Sequence, residues 1–292
     1  MSAAATGPTS VGIVVAVGPS NAYLDQQLTA LSEQQHDGAV ELVLSCNGTP
    51  VEPVRARCDR VNWPPDWHLH VIDSSAELGA GPARNAGSAA IETDLLVFCD
   101  ADDVVADGWL AAMVDALREH DVVGGRLQYD RINGEDVWEI RSSTGLGRRF
   151  GHLPYAPTCN LGLSRAAFDA TGGFDPRAVK GQDTDLCWRA AYAGFPIAYA
   201  PDAVVHYRLR PTIHQAFRNA RAYGRYDPLL LRMHRPHGAR NSLRSSCREL
   251  ASTAWAILRA PLGRRRLRTA AIRVGAVLGR LEGSLRFRTF TL

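Results

Sequence analysis

The sequence predicts an α/β protein: a doubly wound, mostly parallel sheet with flanking helices, followed by a C-terminal helical extension. Short runs that are apolar on both faces alternate with segments of helical spacing over about 120 residues, as is typical of strands buried in a parallel sheet. Beyond Pro211 the pattern is helical only. We therefore expect a disordered N-terminus at residues 1–10, a ligand-binding α/β domain at residues 11–210 and a helical, Arg-rich extension at residues 211–292.

The predicted strands are apolar runs bounded by turn-forming residues. In chain order they cover residues 11–17, 41–44, 69–72, 95–98, 122–123, 197–200 and 204–205. Leucines spaced three or four apart, as at Leu24, Leu28 and Leu31, indicate the helices between them. The predicted helices cover residues 24–31, 83–91, 109–119 (capped by Asp107), 168–170, 185–193, 213–223, 229–233, 250–258 and 267–285. Residues 124–157 are irregular, and we expect long connections with one or two short strands there, of a length that is often functional.

Composition excludes several classes of protein. With 46% hydrophobic and 22% charged residues, the chain is not expected to be disordered as a whole. Its first ten residues lack the basic and apolar segments of a signal peptide, and no stretch approaches the roughly 18 apolar residues of a spanning helix. The six cysteines contain no CxxC pair, so a zinc or redox site is not expected. We therefore expect a cytoplasmic protein.

Charge is unevenly distributed along the chain. Residues 239–292 contain 12 arginines and two glutamates, a net charge of +10, whereas the remaining residues carry −7. Two interpretations of this basic segment stay open: peripheral contact with an anionic membrane at its inner face, or packing on the α/β domain. No nucleic-acid partner is expected, because aromatic residues are sparse there. The apolar stripe of the segment consists of Val274, Val277, Leu278, Leu281 and Leu285.

Two carboxylates stand at the carboxyl end of a predicted buried strand, at Asp100 and Asp102. Residues i and i+2 of an extended segment point to the same side, and ligands bind outside the carboxyl ends of parallel strands. Such a pair of oxygen donors suits Mg²⁺ or Mn²⁺. The alternative is a solvated, Asp-rich turn.

Asp183 and His206 are the other candidate site residues. Asp183 precedes a predicted helix, so it is either an N-cap or a general base that accepts a proton from an attacking hydroxyl. His206 follows a predicted strand and is either a structural side chain or a third metal ligand. The segment at residues 79–84 has Arg84 where a dinucleotide fingerprint needs glycine, so an NAD site is not expected. Arg84 is then a diphosphate contact or part of a surface salt bridge.

In order along the chain, these segments resemble the family 2 glycosyltransferases, which have the GT-A fold. The resemblance extends from Val11 to about Asp227. The motifs that carry it are Ile13-Val-Val-Ala-Val17 with Pro19 and Asn21, Leu78-Gly-Ala-Gly-Pro-Ala-Arg-Asn-Ala-Gly87, Val97-Phe-Cys-Asp-Ala-Asp-Asp103, Gly172-Gly-Phe-Asp175, Gln182-Asp-Thr-Asp-Leu186 and Val205-His206.

The resemblance implies a nucleotide-sugar donor, with a UDP-sugar as first candidate, and a hydroxyl-bearing acceptor. It places the donor against Val17, Pro19, Asn47, Arg84 and Asp100.

The resemblance also implies a divalent metal, Mn²⁺ or Mg²⁺, held by Asp102 with His206 as an additional ligand. It makes Asp183 the base of an inverting displacement with no covalent intermediate.

Two departures from the family pattern keep alternatives open. Gln182 stands where Glu commonly precedes the base, and Cys46 stands where an Asp usually reads the nucleobase. Ser45 or Asn47 could substitute for that Asp, or the donor could carry another base. A nucleotidyltransferase acting on a sugar phosphate and a non-catalytic nucleotide-sugar-binding module are the alternatives to a glycosyltransferase.

Overall fold

The computed structural model describes residues 9–134 and 144–291. It confirms the predicted α/β fold: an eight-stranded, mostly parallel sheet flanked by helices, with a helical C-terminal region. The strands are β1 (Val11–Val17), β2 (Val40–Cys46), β3 (Trp67–Asp73), β4 (Leu95–Asp100), β5 (Val104–Val105), β6 (Val122–Gln128), β7 (Gly147–Arg148), β8 (Pro154–Tyr155), β9 (Asn160–Ser164) and β10 (Ile197–His206). The helices are α1 (Leu24–Ser32), α2 (Val51–Cys58), α3 (Ala80–Ala89), α4 (Trp109–Glu119), α5 (Arg165–Thr171), α6 (Gln182–Tyr192), α7 (Ile213–His234), α8 (Leu243–Arg259) and α9 (Arg264–Phe287).

The order of strands in the sheet is β3-β2-β1-β4-β9-β6-β10-β5. Strands β1 to β4 pair in parallel, as do β6 and β10, whereas β9 pairs antiparallel with both β4 and β6. The sequence analysis missed β9, because five residues between irregular segments carry little periodicity. It also divided β10 into two extended segments, at the point where the β6–β10 register shifts between Ala200 and Val204.

Two hydrophobic layers cover the faces of the sheet. Alternate residues of β1 enter different layers: Ile13 and Val15 pack with α1, α2 and α4, whereas Val14 packs with α5 and α6. This division follows from the two-residue period of a strand. Because both faces are buried, the strand ends are the parts of the sheet that can meet a ligand.

The structure confirms the predicted range of α4 but corrects its cap, and it corrects the start of α6. Helix α4 has Gly108 as its N-cap, in the left-handed region at φ 72°, and no side-chain cap, so Asp107 is not its cap. Helix α6 begins at Gln182 rather than at residue 185, and its N-cap is Gly181. Asp183 therefore lies inside the first turn and is not the N-cap.

The C-terminal helices α7 and α9 pack through glycines rather than through the predicted apolar stripe. Gly275, Gly279 and Gly283 are buried at a spacing of four residues, and a Cβ on each would lie 2.1–2.6 Å from a backbone carbonyl oxygen of α7. In the stripe, Leu278, Leu281 and Leu285 are 40%, 41% and 84% exposed. Across the described ranges, no helix is both long and apolar enough to span a bilayer.

Close packing of α7 on α9 predicts that Gly279→Ala destabilises the protein. A Cβ at residue 279 would meet the Arg221 carbonyl oxygen at 2.1 Å, and this backbone atom cannot rotate away. Alanine favours an isolated helix by about 1 kcal/mol over glycine, but overpacking costs about 1–3 kcal/mol, so the net effect is a loss. Urea unfolding measures it. Gly134→Ala, whose added Cβ has no atom of the described residues within 4 Å, is the control, and equal stabilities of the two variants would contradict the packing.

Candidate active site

A cleft of about 490 Å³ opens at the carboxyl ends of β1 and β4. It is lined by Pro19 after β1, by Asp100 and Asp102 at the end of β4, and by Asp183 at the start of α6. Side chains of α7 also line it. The fold thus brings the two predicted carboxylate motifs together, although 80 residues of chain separate them.

Three aspartates at the end of β4 form the most acidic part of this site. Asp100 accepts a 2.5 Å hydrogen bond from Arg84, and Asp102 accepts one of 3.0 Å from Arg210. Asp103 accepts a 2.7 Å hydrogen bond from the backbone N–H of Arg208. Its second oxygen, Oδ2, is buried and has no hydrogen-bond partner among the described residues. Arg84 is buried, so its ion pair is not the surface salt bridge that the sequence left open.

The acidic cluster fits a divalent cation. Burial and the neighbouring Asp100 raise the pKa of Asp102, and the same causes raise the pKa of Asp103 well above its usual range. One oxygen each of Asp100 and Asp103 and the sulfur of Cys159 all lie within 4.8 Å of one another. Burial raises the pKa of the Cys159 thiol far above neutrality, so carboxylate oxygens are the donors suited to Mg²⁺ or Mn²⁺ here.

His206 does not join this group of side chains. It does not line the cleft, and its Nε2 lies 3.3 Å from Nη1 of Arg131. Burial and then the Arg131 guanidinium lower the pKa of His206. The sequence placed His206 beside the carboxylates because it ends a strand of the same sheet, but its ring points to a different neighbourhood. Its role as a metal ligand stays a prediction without geometric support.

The N-terminus of α6 positions Asp183 in the cleft. Gly181 adopts φ 78°, which turns the chain into the helix, and Asp183 Oδ1 accepts a 2.7 Å hydrogen bond from the backbone N–H of Thr184. Gln182 packs beside Gly81 of α3, where an added Cβ would lie 2.6 Å from the Gln182 side-chain oxygen. A side chain at residue 81 would therefore require the Gln182 side chain to move.

Of the predicted donor contacts, Pro19, Arg84 and Asp100 line the cleft, whereas Val17 and Asn47 do not. Val17 is fully buried, and its carbonyl oxygen accepts a 2.8 Å hydrogen bond from the backbone N–H of Asn47.

The Asn47 side chain shapes the loop that precedes α3. It donates hydrogen bonds to the carbonyl oxygens of Ser74 and Glu77 at 2.6 and 3.0 Å, and it accepts one of 2.8 Å from the N–H of Gly79. Asn47 thus stabilises this loop without lining the cleft.

Ser45, Cys46 and Asn47 at the end of β2 are all buried, so their side chains are not available to read a nucleobase. Ser45 is fully buried and donates a 2.7 Å hydrogen bond to the Ala83 carbonyl oxygen. Cys46 is also fully buried, and its burial raises the pKa of its thiol to about 11. Ser45 and Asn47, the two predicted substitutes for an Asp, both use their side chains in hydrogen bonds within the protein.

Four further cleft residues were missed by sequence reasoning. Lys180 directly precedes the segment that contains Asp183 and is the chain's only lysine, which is a signal that could have identified it. Arg210 follows β10 and pairs with Asp102. Asn219 and Tyr223 reach the cleft from α7, and only the tertiary packing of that helix reveals them. Residues on both sides of the predicted 210/211 boundary therefore line one cleft.

The fold belongs to the GT-A class of glycosyltransferases. A mannosyltransferase from Pyrobaculum calidifontis, solved with GDP-Man and Mn²⁺, matches with a TM-score of 0.60 at 16% identity, over 95% of this chain and 88% of that one. TarS residues 1–349 from S. aureus, solved with UDP-GlcNAc, match with a TM-score of 0.55 at 14% identity, over 97% of this chain and 93% of that one.

The chain belongs to the family described as "Glycosyltransferase like family 2", whose model matches residues 8–225. A pre-mycofactocin glycosyltransferase from Mycobacterium tuberculosis is 28% identical over 236 residues, which are 75% of this chain and 47% of that protein. The glycosyltransferase AglE from Haloferax volcanii is 24% identical over 149 residues, which are 49% of each protein. The chain thus spans about half the length of the curated relatives that it matches.

Proposed function

We propose that this protein transfers a sugar from a nucleotide-sugar donor to an acceptor hydroxyl with inversion, using a divalent cation and Asp183 as the general base. The observation that supports this most directly is the shared cleft of Asp100, Asp102 and Asp183. Family membership favours this reaction over nucleotidyl transfer and over a scaffold that only binds its ligand.

The donor diphosphate is held by the cationic and acidic groups around the end of β4. Arg84, Lys180 and Arg210 line the same cleft, and each can donate hydrogen bonds to phosphate oxygens. Asp100 and Asp102 hold Mn²⁺ or Mg²⁺, with Asp103 behind them. When bound, the cation offsets the negative charge of the leaving nucleoside diphosphate.

The nucleobase lies beyond Pro19, toward the ends of β2 and β3. A groove there is lined by Gly48, Thr49, Asp73 and Ser75, and a Cβ on Gly48 would lie 3.8 Å from Pro19. Asp73 is opposite Cys46 in the β2–β3 register, and its carboxylate is exposed. It can accept a hydrogen bond from a base imide in place of the family's β2 carboxylate, which keeps a UDP-sugar as first candidate. GDP-Man and UDP-GlcNAc, which the two structural neighbours bind, are the two donors whose binding to this protein should be compared.

Asp183 acts on the acceptor. As the acceptor oxygen forms its bond to the anomeric carbon, its proton passes to the Asp183 carboxylate. The bond from that carbon to the diphosphate oxygen breaks on the opposite side, so the configuration inverts. Tyr223 and Asn219 of α7 line the cleft with Asp183, and we assign them to the acceptor's surroundings.

Metal binding by the β4 carboxylates predicts that Mn²⁺ alone stabilises the protein. Filling the site relieves the repulsion between Asp100 and Asp102, so the melting temperature should rise with Mn²⁺ concentration and return to its initial value with EDTA. Asp100→Asn and Asp102→Asn should abolish this shift.

His206→Gln is the matched comparison, because His206 faces Arg131 outside the cleft and its replacement should leave the Mn²⁺-dependent shift in place. Loss of the shift in His206→Gln alone would contradict the assignment and restore the ligand set predicted from the sequence.

The base assignment predicts that Asp183→Asn lowers kcat by about 10²–10⁴-fold, the usual contribution of a general base, while donor affinity changes little. Asn preserves the shape of the side chain but cannot accept the proton. The rate at which nucleoside diphosphate is released from the nucleotide-sugar measures kcat, and calorimetry measures donor affinity.

Asp175→Asn, which breaks an ion pair with the exposed Arg177 outside the cleft, is the control for loss of an Asp. A fully active Asp183→Asn protein would show that another group takes the proton.

A further inference from the structure

Helix α8 (Leu243–Arg259) is amphipathic, but its polar side, rather than its apolar side, packs against the protein. Its buried side chains are Ser246, Thr253 and Ala256, which are small or polar. Ser252, on the same side, accepts a 2.6 Å hydrogen bond from Arg273 of α9. The helix is therefore attached to the protein by its polar face.

The apolar face of α8 is exposed. At 100° of rotation per residue, Trp255 and Leu258 lie on the side opposite to the buried residues, whereas Leu250 and Ile257, each four residues after a buried one, flank the buried side. A buried location of such a face is the rule in soluble domains, so an exposed one indicates an interaction surface. We define the α8 face as the exposed apolar residues of the helix and of the turn that follows it. They are Leu243 (81% exposed), Leu250 (42%), Trp255 (60%), Ile257 (51%) and Leu258 (71%) in the helix, and Leu262 (65%) in the turn.

Arginines border the α8 face on one side and continue past its end. Arg244, Arg248 and Arg259 are exposed along the helix, and the Arg259 guanidinium lies 5.4 Å from the Trp255 ring centroid. The run at residues 264–266 adds three more arginines. The helix contains a single acidic residue, Glu249, which points to the other side and lies 3.5 Å from Arg280.

We propose that the α8 face binds an anionic lipid bilayer, with α8 lying in the plane of the interface. An apolar strip enters the acyl boundary while flanking arginines contact lipid phosphates, and Trp255 lies at the depth that indole rings prefer. A second protein is the weaker match, because a row of arginines with no acidic residue beside it calls for a uniformly negative partner.

This surface differs from the one that the sequence suggested. The stripe of α9 runs beside the glycines that pack on α7, whereas α8 carries its apolar residues away from the protein. The inference does not depend on the sugar-transfer proposal, because no α8 residue lines the active-site cleft.

Vesicle flotation with the full chain tests the proposal. Vesicles of phosphatidylcholine that also contain the anionic lipid phosphatidylglycerol should carry the protein. Vesicles of pure phosphatidylcholine should bind about tenfold less, and added salt should weaken binding through screening. Equal binding to both vesicles, or no binding to either, would overturn the proposal.

A double variant, Leu250→Ser with Leu258→Ser, should lower binding to the anionic vesicles by about tenfold or more, because both side chains would enter the membrane. Both are exposed, so the fold should be retained, which circular dichroism and the active-site Mn²⁺ response check. Leu78→Ser, at a position 72% exposed on the catalytic body, is the control and should bind like wild type. Unchanged binding of the double variant would exclude the α8 face.

Tryptophan emission gives the depth of insertion. The emission of Trp255 is the difference between the spectra of the wild-type protein and the Trp255→Phe variant. This difference should shift to the blue when anionic vesicles are added. If light scattering instead shows a dimer that the double variant dissociates, and vesicles do not bind, a second copy of the chain covers the α8 face and the lipid proposal is wrong.

Discussion

Repulsion among the aspartates that end β4 is the constraint on which the site depends. Asp100, Asp102 and Asp103 lie within four residues of one another, and two of them have raised pKa values because burial and the neighbouring carboxylates oppose their ionisation. A fold that only needed a turn here would have no physical reason to bury a third carboxyl group. The arrangement is stable when cations surround it, and its surroundings supply them.

Two arginines from separate parts of the chain provide that compensation: Arg84 of α3 pairs with Asp100, and Arg210 of the segment after β10 pairs with Asp102. Arg208 contributes hydrogen bonds instead: its backbone N–H binds Asp103, and its side chain donates one of 2.7 Å to the Asp102 carbonyl oxygen and one of 2.6 Å to Gln26 of α1. These contacts join elements from both halves of the sheet. Arg84, Arg210 and Lys180 border the space in which we place a diphosphate, so the cations around the carboxylates also suit an anionic ligand.

Local sequence predicted the parts of the site that local structure determines. The strand ends at Pro19 and Asp100 were found because an apolar run followed by polar residues marks a strand end, and Asp183 was found from the ordered family motifs. Tyr223 and Asn219 were missed because only the packing of α7 brings them to the cleft. The neighbours of His206 could not be predicted, because strand periodicity gives the side of a strand on which a residue lies but not its neighbours across the sheet.

The C-terminal region shows the same limit. Hydrophobic periodicity identified the helices, but it left open whether the leucine stripe of α9 packs on the protein or meets a membrane. The contact with α7 uses Gly275, Gly279 and Gly283, whose four-residue spacing was visible in the sequence and allows two backbones to approach closely. Periodicity also gave no sign that α8 would attach through its serines and threonine. Only the contacts of the folded chain distinguish a buried amphipathic face from an exposed one.

The central claim is that a nucleoside diphosphate and a divalent cation bind between the β4 carboxylates and α6, and Lys180 allows a direct test. Lys180 is the only lysine and lines the cleft, and burial, with Arg210 nearby, lowers the pKa of its amine. Acetylation of Lys180, followed by peptide mass spectrometry with the N-terminal amine as internal control, measures its accessibility. A nucleoside diphosphate with Mn²⁺ should slow this acetylation several-fold, whereas the nucleoside without phosphates should not. Equal rates with every nucleoside diphosphate and with none would contradict the account.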